Sequence, residues 1–598
     1  MDERYRVLAR IPEGQGESPE VVMVKTVTNK VMYCHDPDID WYKDNVPCRR
    51  TCPAGTRIPE YISAAAGGDY YKCYEINRVD NVLPHILGRV CAHPCEDDCR
   101  HGYDGMGSPV SICWLKRSGA DHKESAPELK TAYPTGKKVA VIGSGPAGLA
   151  LAQDFSLWGH SVTIFEAMEK PGGMMRYGIP RFRLPEDIID YEIGQILNLG
   201  AQLKCGVKVG EDPLLNDLAR DFDAVVMAGG CALPTTLDIP GIDAEGVVYG
   251  LDFMNMVNTG ALKKVTGHVV VLGGGFTAMD CSRSAYRLGA EEVTVVYRRT
   301  RNELKVDERE LRETSVEGIS FRYLLSPHEV KTNGGRITEA LFQRNSLGPP
   351  GSDGRRSIKP MEGKFETIKA DWLIPAISQF ADMSPFGGKI TVNTDDYKTP
   401  MNKIFATGDY VTGPQDIITA IGHAHNTARK LDKFLMGHDR FVENVHRQVW
   451  GNTVFDSYQG WKSVEGNIYD LIPRLDMPAI ELSQRRDQMK EADTGYDKNQ
   501  TYWQGQRCYL CNHNIQIDGS ACILCYNCVD VCPYGCIIMA GEKWVRVYKN
   551  GSPEPEGENF TYMIIEEKNC VRCGLCIDVC PVPCITMEKL EIETLHNG

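Results

Sequence analysis

The sequence predicts a multidomain α/β chain, with two Rossmann-like units at its centre and a cysteine-rich domain at each end. Three observations carry this. At 598 residues the chain is too long for one core, and 42% hydrophobic with 24% charged residues is a globular composition. Two glycine-rich fingerprints each stand between an apolar strand and a helical pattern. All but three of the 23 cysteines are bunched towards the two ends. In a large chain whose first residues lack the apolar core of a secretory signal, such bunching favours metal binding over disulfides and places the protein in the cytoplasm. Cys205, Cys231 and Cys281, in the central region, read as small buried hydrophobes. A formal net charge of -14 argues against nucleic-acid partners, and no run of about 18 apolar residues predicts a membrane span.

From the N-terminus, Cys34 is followed by Cys48-x3-Cys52-Pro53, a helical stretch carrying Cys73, then Cys91-x3-Cys95-x3-Cys99 and Cys113. Thiolates three or four positions apart on turns converge on one point, as a 4Fe-4S cube requires, and the Cys-Pro ending favours that over a zinc S4 site. A polar, proline-punctuated segment, Ser118 to Gly136, leads into the first nucleotide unit.

In that unit the apolar run Val139 to Ile142 reads as a buried parallel strand, followed by Gly143, Gly145, Pro146, Ala147 and Gly148. Gly143 permits the tight turn, Gly145 lets backbone approach a pyrophosphate, and Gly148 lets the helix pack on the sheet with its N-H groups towards the phosphates. The next strand ends in Glu166, placed to accept the hydroxyls of an adenosine ribose. Lys170 to Pro185, KPGGMMRYGIPRFRLP, including Gly173, is a glycine-rich loop expected to touch the ligand. A second fingerprint follows the strand His268 to Leu272, as Gly273, Gly275, Phe276, Thr277 and Ala278. Its second strand ends in Arg298 and Arg299 where an acid would stand for NADH, so two guanidiniums can grip a 2′-phosphate and the site leans to NADPH. Gly408 and Asp409 form a third turn between strand and helix.

The last domain carries two C-x2-C-x2-C-x3-C-P runs, Cys522, Cys525, Cys528, Cys532 and Cys570, Cys573, Cys576, Cys580. In this ferredoxin arrangement the fourth cysteine of each run serves the other cluster, so Cys580 completes the first site and Cys532 the second. Cys536 and Cys584 stand symmetrically beyond as buried neighbours. Cys508-x2-Cys511 has no local partners and reads either as a zinc half-site with His513 or as two plain thiols.

PCRRTCPAGTRIPEYI, GRVCAHPCEDDCRHG and SPVSICWLKR resemble the N-terminal cluster domain of the glutamate synthase small-subunit family, shared by dihydropyrimidine dehydrogenase. The resemblance covers nearly the whole chain, in the version with an appended two-cluster ferredoxin domain. DsrL-type iron-sulfur flavoproteins, NAD(P)H:acceptor oxidoreductases that work with dissimilatory sulfite reductase, are similar in this layout. Similar chains serve 2-oxoacid:acceptor oxidoreductases and glutamate synthase itself; the alternative to all three is a non-catalytic electron relay in a larger complex. The resemblance implies one N-terminal 4Fe-4S cluster on Cys52, Cys91, Cys95 and a residue of the SPVSICWLKR helix. The family often uses Gln or Glu there; here the position is Lys116, and we assign Cys113, one turn earlier on the same face, as its replacement. A second cluster would draw on Cys48 and Cys99, the family's upstream Cys-x2-Cys being reduced to Cys34. The resemblance also places FAD on the first fingerprint, the loop at 170–185 beside its ring, and Asp409 near its ribityl chain.

The implied domains are 1–130, helical iron-sulfur; 137–241 and 377–437, the two parts of an FAD-binding domain; 242–376, an inserted NAD(P)-binding domain; 438–505, a linker; and 506–598, the two-cluster ferredoxin domain. NAD(P)H carries two electrons as hydride, FAD accepts a hydride yet releases electrons singly, and clusters pass one at a time. The expected protein is an NAD(P)H:acceptor oxidoreductase with FAD and three or four 4Fe-4S clusters. Its expected partner is a protein electron acceptor or donor, with the chain a homodimer or a subunit of a complex. No side-chain acid or base is assigned, because hydride transfer needs positioning alone.

Overall fold

The computed structural model describes residues 5–9, 21–27, 30–33, 39–103, 107–351, 354–450, 472–519, 521–541, 545–549, 552–553, 561–566 and 569–596. Cys34 lies outside the described residues. Among them no helix is long and apolar enough to cross a membrane.

The N-terminal region is helical from Ile39 onward. Asp69 caps the helix Tyr70–Asp80 by accepting from the Lys72 amide at 2.9 Å, and prolines open Pro47–Thr51 and Pro84–Val90, where a missing N-H costs nothing. The helices Pro84–Val90 and Ile112–His122 cross at Gly88, where a Cβ would stand 2.6 Å from the Arg117 Cα; the contact needs glycine. Expecting residues 1–130 to be helical throughout misses the start of the chain. Tyr5–Ala9, Val21–Val27 and Lys30–Tyr33 are strands, in one sheet with Val545–Lys549 of the last domain. The three pair in sequence order, and only Tyr5–Ala9 also meets a strand from the other end of the chain.

Five parallel strands form the first nucleotide sheet, in the order Ile404–Ala406, Ala224–Met227, Lys138–Ile142, Ser161–Glu166, Gln202–Cys205. Val139 to Ile142 is buried, as a strand covered by helices on both faces must be. The second sheet orders Ser320–Tyr323, Glu292–Tyr297, His268–Leu272 and Trp372–Pro375, again parallel. An antiparallel three-stranded sheet, Leu325–Asn333, Arg336–Pro350 and Arg356–Lys369, is spliced in before the last of these. The chain thus completes the second sheet before Ile404–Ala406 rejoins the first.

The stretch 438–505, expected as a wrapping linker that packs domains or a second subunit, carries regular structure. Phe441–Trp450 pairs along its length with Ile585–His596, which also pairs with His513–Ile517. The helix Lys498–Gly505, capped by Asp497, packs on the N-terminal helices Ile58–Ala66 and Ile112–His122. Interspersed charges hide the strand in the sequence, and its partner is remote. Residues 451–471 lie outside the described residues. One continuous apolar core runs through the N-terminal helices, the first nucleotide sheet and the ferredoxin domain, while the second nucleotide sheet has its own.

Candidate redox site

At the first fingerprint Gly143 has φ +103°, and a Cβ on Gly148 would stand 1.9 Å from the Gly143 carbonyl, so helix and strand meet as closely as backbone allows. Gly145 faces open space, which leaves room for a pyrophosphate at the start of the helix Pro146–Leu157. Glu166 is buried at the strand end; its Oε2 accepts from the Ser144 amide at 2.9 Å and its Oε1 from the Met168 amide at 2.8 Å. The carboxylate is thereby fixed beside the glycine turn. Gly173 brings the following loop onto Gly145, and Gly408 brings the third turn onto Ala147, each at 2.8 Å from a would-be Cβ.

Asp409 supplies a test of whether a flavin nucleotide fits. Its Oδ1 is buried without a hydrogen-bond partner among the described residues. Burial, with Asp416 nearby, pushes its carboxyl up to about 6. A hydroxyl-bearing group at that spot would relieve an otherwise costly orphan, so the residues fit FAD. When bound, the flavin supplies the conversion of a hydride into single electrons.

The second fingerprint repeats this geometry: Gly273 has φ +151°, Gly275 faces open space, and Phe276–Arg287 begins there with Ala278 packed against Gly273. Arg298 and Arg299 differ in their surroundings. Arg298 is exposed, whereas Arg299 is buried and its Nε donates to the Arg356 carbonyl at 2.6 Å.

A single cavity of about 860 Å³ joins these parts. Met174, Ile179, Phe182 and Arg183 of the glycine-rich loop line it, as do Gly275, Phe276 and Thr277 of the second fingerprint and Asp416 and Ile417 at the start of the helix Ile417–Met436. Cys91 and Cys113 line its far side. The cavity thus touches the second fingerprint, the glycine-rich loop and the first cysteine group.

In that group Cys52, Cys91, Cys95 and Cys113 are close enough to Lys116 for their charges to act on its ammonium, which is buried and donates to Asn81 Oδ1 at 3.3 Å. Burial works against that charge, but the thiols outweigh it and raise its pKa. A buried ammonium with one neutral partner is costly, and an anionic thiolate-bound cluster would offset it. Cys113 sits against Cys91, whose thiol it holds below the ordinary range, and 3.2 Å from the Leu87 carbonyl. Both Lys116 and Cys113 therefore face the group from one helix. Cys48 and Cys99 lie apart, in a second pocket with Cys508 and Cys511.

The ferredoxin domain has the crossed arrangement. Cys522, Cys525, Cys528 and Cys580 line one pocket, and Cys573 and Cys576 have Cys570 and Cys532 as charged neighbours. Cys536 touches Cys532 at 3.1 Å and Cys584 touches Cys580 at 3.4 Å, both buried.

Sequence reasoning missed an ionic network between the flavin loop and the second nucleotide domain. Arg183 of the loop binds Asp280 and Glu310; Arg283 reaches Glu310 at 3.1 Å and Glu317 at 2.7 Å, and Arg287 reaches Glu317 at 2.7 Å. Arg287 also lies 3.7 Å over the Phe182 ring. The signal was present as a stripe, Asp280, Arg283 and Arg287 falling on one helix face.

Comparison with known proteins agrees with this layout. Residues 137–424 match the pyridine nucleotide-disulphide oxidoreductase family, 41–127 the dihydropyrimidine dehydrogenase domain II 4Fe-4S family, and 521–584 the 4Fe-4S dicluster family. The NADP(+)-dependent formate dehydrogenase subunit beta of Moorella thermoacetica is 34% identical over 508 residues, 78% of this chain and 70% of that one. The NADPH-Fe(3+) oxidoreductase subunit beta of Geobacter sulfurreducens is 30% identical over 516 residues, 78% and 75% of the two chains. The glutamate synthase [NADPH] small chain of Escherichia coli is 30% identical over 438 residues, 68% of this chain and 90% of that one. The chain belongs to the glutamate synthase small-subunit family of NAD(P)H-dependent iron-sulfur flavoproteins, in the form that carries 4Fe-4S domains at both ends.

Proposed function

We propose that the chain is the NADPH-handling subunit of a larger redox assembly, exchanging electrons between the nicotinamide cofactor and a separate redox protein. The cavity that touches the second fingerprint, the flavin loop and the first cysteine group carries this reading, because it lets hydride donor, flavin and first one-electron carrier meet in one cleft. The chain's own residues position and shield. The two fingerprints hold the nucleotides, Phe182 and Arg183 hold the loop against the second nucleotide domain, and the thiols take electrons onward.

The sequence resemblance offers dissimilatory sulfite reductase, a 2-oxoacid oxidoreductase or glutamate synthase as the partner system, and its motifs do not separate them. The relatives are named for formate dehydrogenase, Fe(3+) reduction and glutamate synthase. What they share, a reduced nicotinamide served by a subunit of a multi-chain enzyme, is the part extended here. Anaerobic NADPH should bleach the flavin of the isolated holo chain and bring up cluster EPR signals, and the chain should turn over a small dye. A chain that merely relays electrons, with a nucleotide site vacant, would show cluster reduction by an artificial reductant but no turnover with NADPH.

A further inference from the structure

Cys48 and Cys99, which the resemblance sets down for a second N-terminal cluster short of two ligands, come together with Cys508 and Cys511 from the other end of the chain. Cys48 sits on the helix Pro47–Thr51, Cys99 precedes the turn Arg100–Gly102, and Cys508 and Cys511 follow the helix Lys498–Gly505. All four line one pocket, whose other walls include Ile58, Ile62, Val110 and Ile112. Burial raises the Cys48 thiol, and Cys511, Cys99 and Cys508 are near enough to raise it further. The Cys99 thiol is pushed up to about 11, by burial first and with Cys511 contributing. Neither cluster family spans Cys508 and Cys511, since one match ends at residue 127 and the other begins at 521.

The segment bearing the Cys-x2-Cys pair is held rigidly on the N-terminal domain. A Cβ on Gly505 would stand 2.6 Å from that of Ala66, so the helix docks at contact distance. Thr501 bonds Ser118 at 2.9 Å, and Tyr509 stacks on His101 at 4.7 Å. Arg507, fully buried, donates to the carbonyls of Ser108 at 2.6 Å, Pro109 at 2.8 Å and Ile472 at 3.0 Å. A buried guanidinium is tolerated only when its donors are satisfied, and these bonds fix the residue next to Cys508.

We propose that Cys48, Cys99, Cys508 and Cys511 hold a further 4Fe-4S cluster, its ligands drawn from both ends of the chain. Such a four-thiol pocket also suits zinc, and position decides between them. On one side Cys95, a member of the first group, is near enough to act on Cys48. On the other, Cys511 and Tyr509 share a packed apolar group with Cys48 and Cys573 of the ferredoxin domain. A redox-active cluster there links the N-terminal group to the C-terminal pair, whereas zinc would interrupt the path. The inference extends the electron-transfer reading, but its test is separate from NADPH oxidation.

The anaerobically purified holo chain should contain about sixteen irons, four per cluster. In the Cys508→Ser/Cys511→Ser double variant about four irons and one EPR-active cluster should disappear, with flavin content and bleaching by NADPH retained. Alkylation of the intact holo chain, read by mass spectrometry, gives a second measure that needs no variant: Cys508 and Cys511 should be protected until iron is chelated. Iron near twelve in the wild type, iron unchanged in the double variant, free alkylation of both cysteines, or one equivalent of zinc lost with them would each overturn the proposal. Loss of NADPH bleaching in the unmodified chain would instead count against the electron-transfer reading.

Discussion

At the scale of single residues, the second fingerprint gives a sharper statement than the arginine pair first suggests. Both Arg298 and Arg299 follow the strand; Arg298 is exposed, while Arg299 is buried, with its Nε on the Arg356 carbonyl and its Nη1 without a hydrogen-bond partner among the described residues. Arg298→Ala should therefore weaken NADPH binding by one to two decades and leave NADH nearly unchanged, since one charge-assisted contact is worth about 1.5 to 3 kcal/mol. Arg299→Ala removes the Arg356 contact together with an unpartnered Nη1, and should weaken both cofactors, NADPH more than NADH. Titration of each variant with both nucleotides checks this, and equal losses at Arg298 would remove the 2′-phosphate role. The fingerprint glycines and Glu166 were legible because turn, strand and helix are local. Asp409 was legible only from the family resemblance, since a Gly-Asp turn before a helix is ordinarily no more than a cap. Its buried, unpartnered oxygen gives it an independent reason.

At the scale of elements, the network joining the loop at 170–185 to the second nucleotide domain has a calculable pH dependence. For Glu310 and Glu317 burial alone would raise the carboxyls, but the surrounding arginines outweigh it and bring both down to about 2. Because the folded values lie below the ordinary carboxylate range, their stabilisation is fully present above about pH 4.5 and is lost as pH falls towards 2. Glu317→Gln leaves Arg287 without its carboxylate and Arg283 with Glu310 alone, and should cost about 3 to 5 kcal/mol at pH 7. The gap between wild type and variant in chemical denaturation should narrow at pH 4, where the unfolded glutamate is largely protonated; an equal gap at both values would mean that the charge is not the source. The strands Phe441–Trp450 and Tyr5–Ala9 show what the sequence leaves hidden at this scale. Each has an unremarkable local pattern, and each pairs with a strand remote in sequence, Tyr5–Ala9 with Val545–Lys549 beside its local partner and Phe441–Trp450 with Ile585–His596. Periodicity fixes an element when its own face decides its burial, as in Val139 to Ile142, and fails when a distant strand does.

At the scale of the molecule, the arrangement of thiols points to where electrons leave. The first cysteine group borders the cavity shared with the nucleotides, and the ferredoxin domain lies beyond it in the same continuous core. Cys525 is the exposed member of the pocket completed by Cys580, flanked by the exposed side chains of Ile523 and Tyr526. A cluster there would be the one that a protein acceptor can approach most closely, whereas the thiols of Cys52, Cys95 and Cys113 are buried. Cys525→Ala should leave flavin bleaching by NADPH intact and should leave a small dye such as ferricyanide reducible at the wild-type rate. Reduction of cytochrome c, a one-electron protein acceptor too large to enter the cavity, should fall by about tenfold or more, as expected when binding and charge separation no longer meet at the terminal carrier. Stopped-flow and steady-state assays on the same preparation separate the two steps. Undiminished cytochrome c reduction would place the exit at the group of Cys52, Cys91, Cys95 and Cys113 instead, with the ferredoxin domain a side branch of the path.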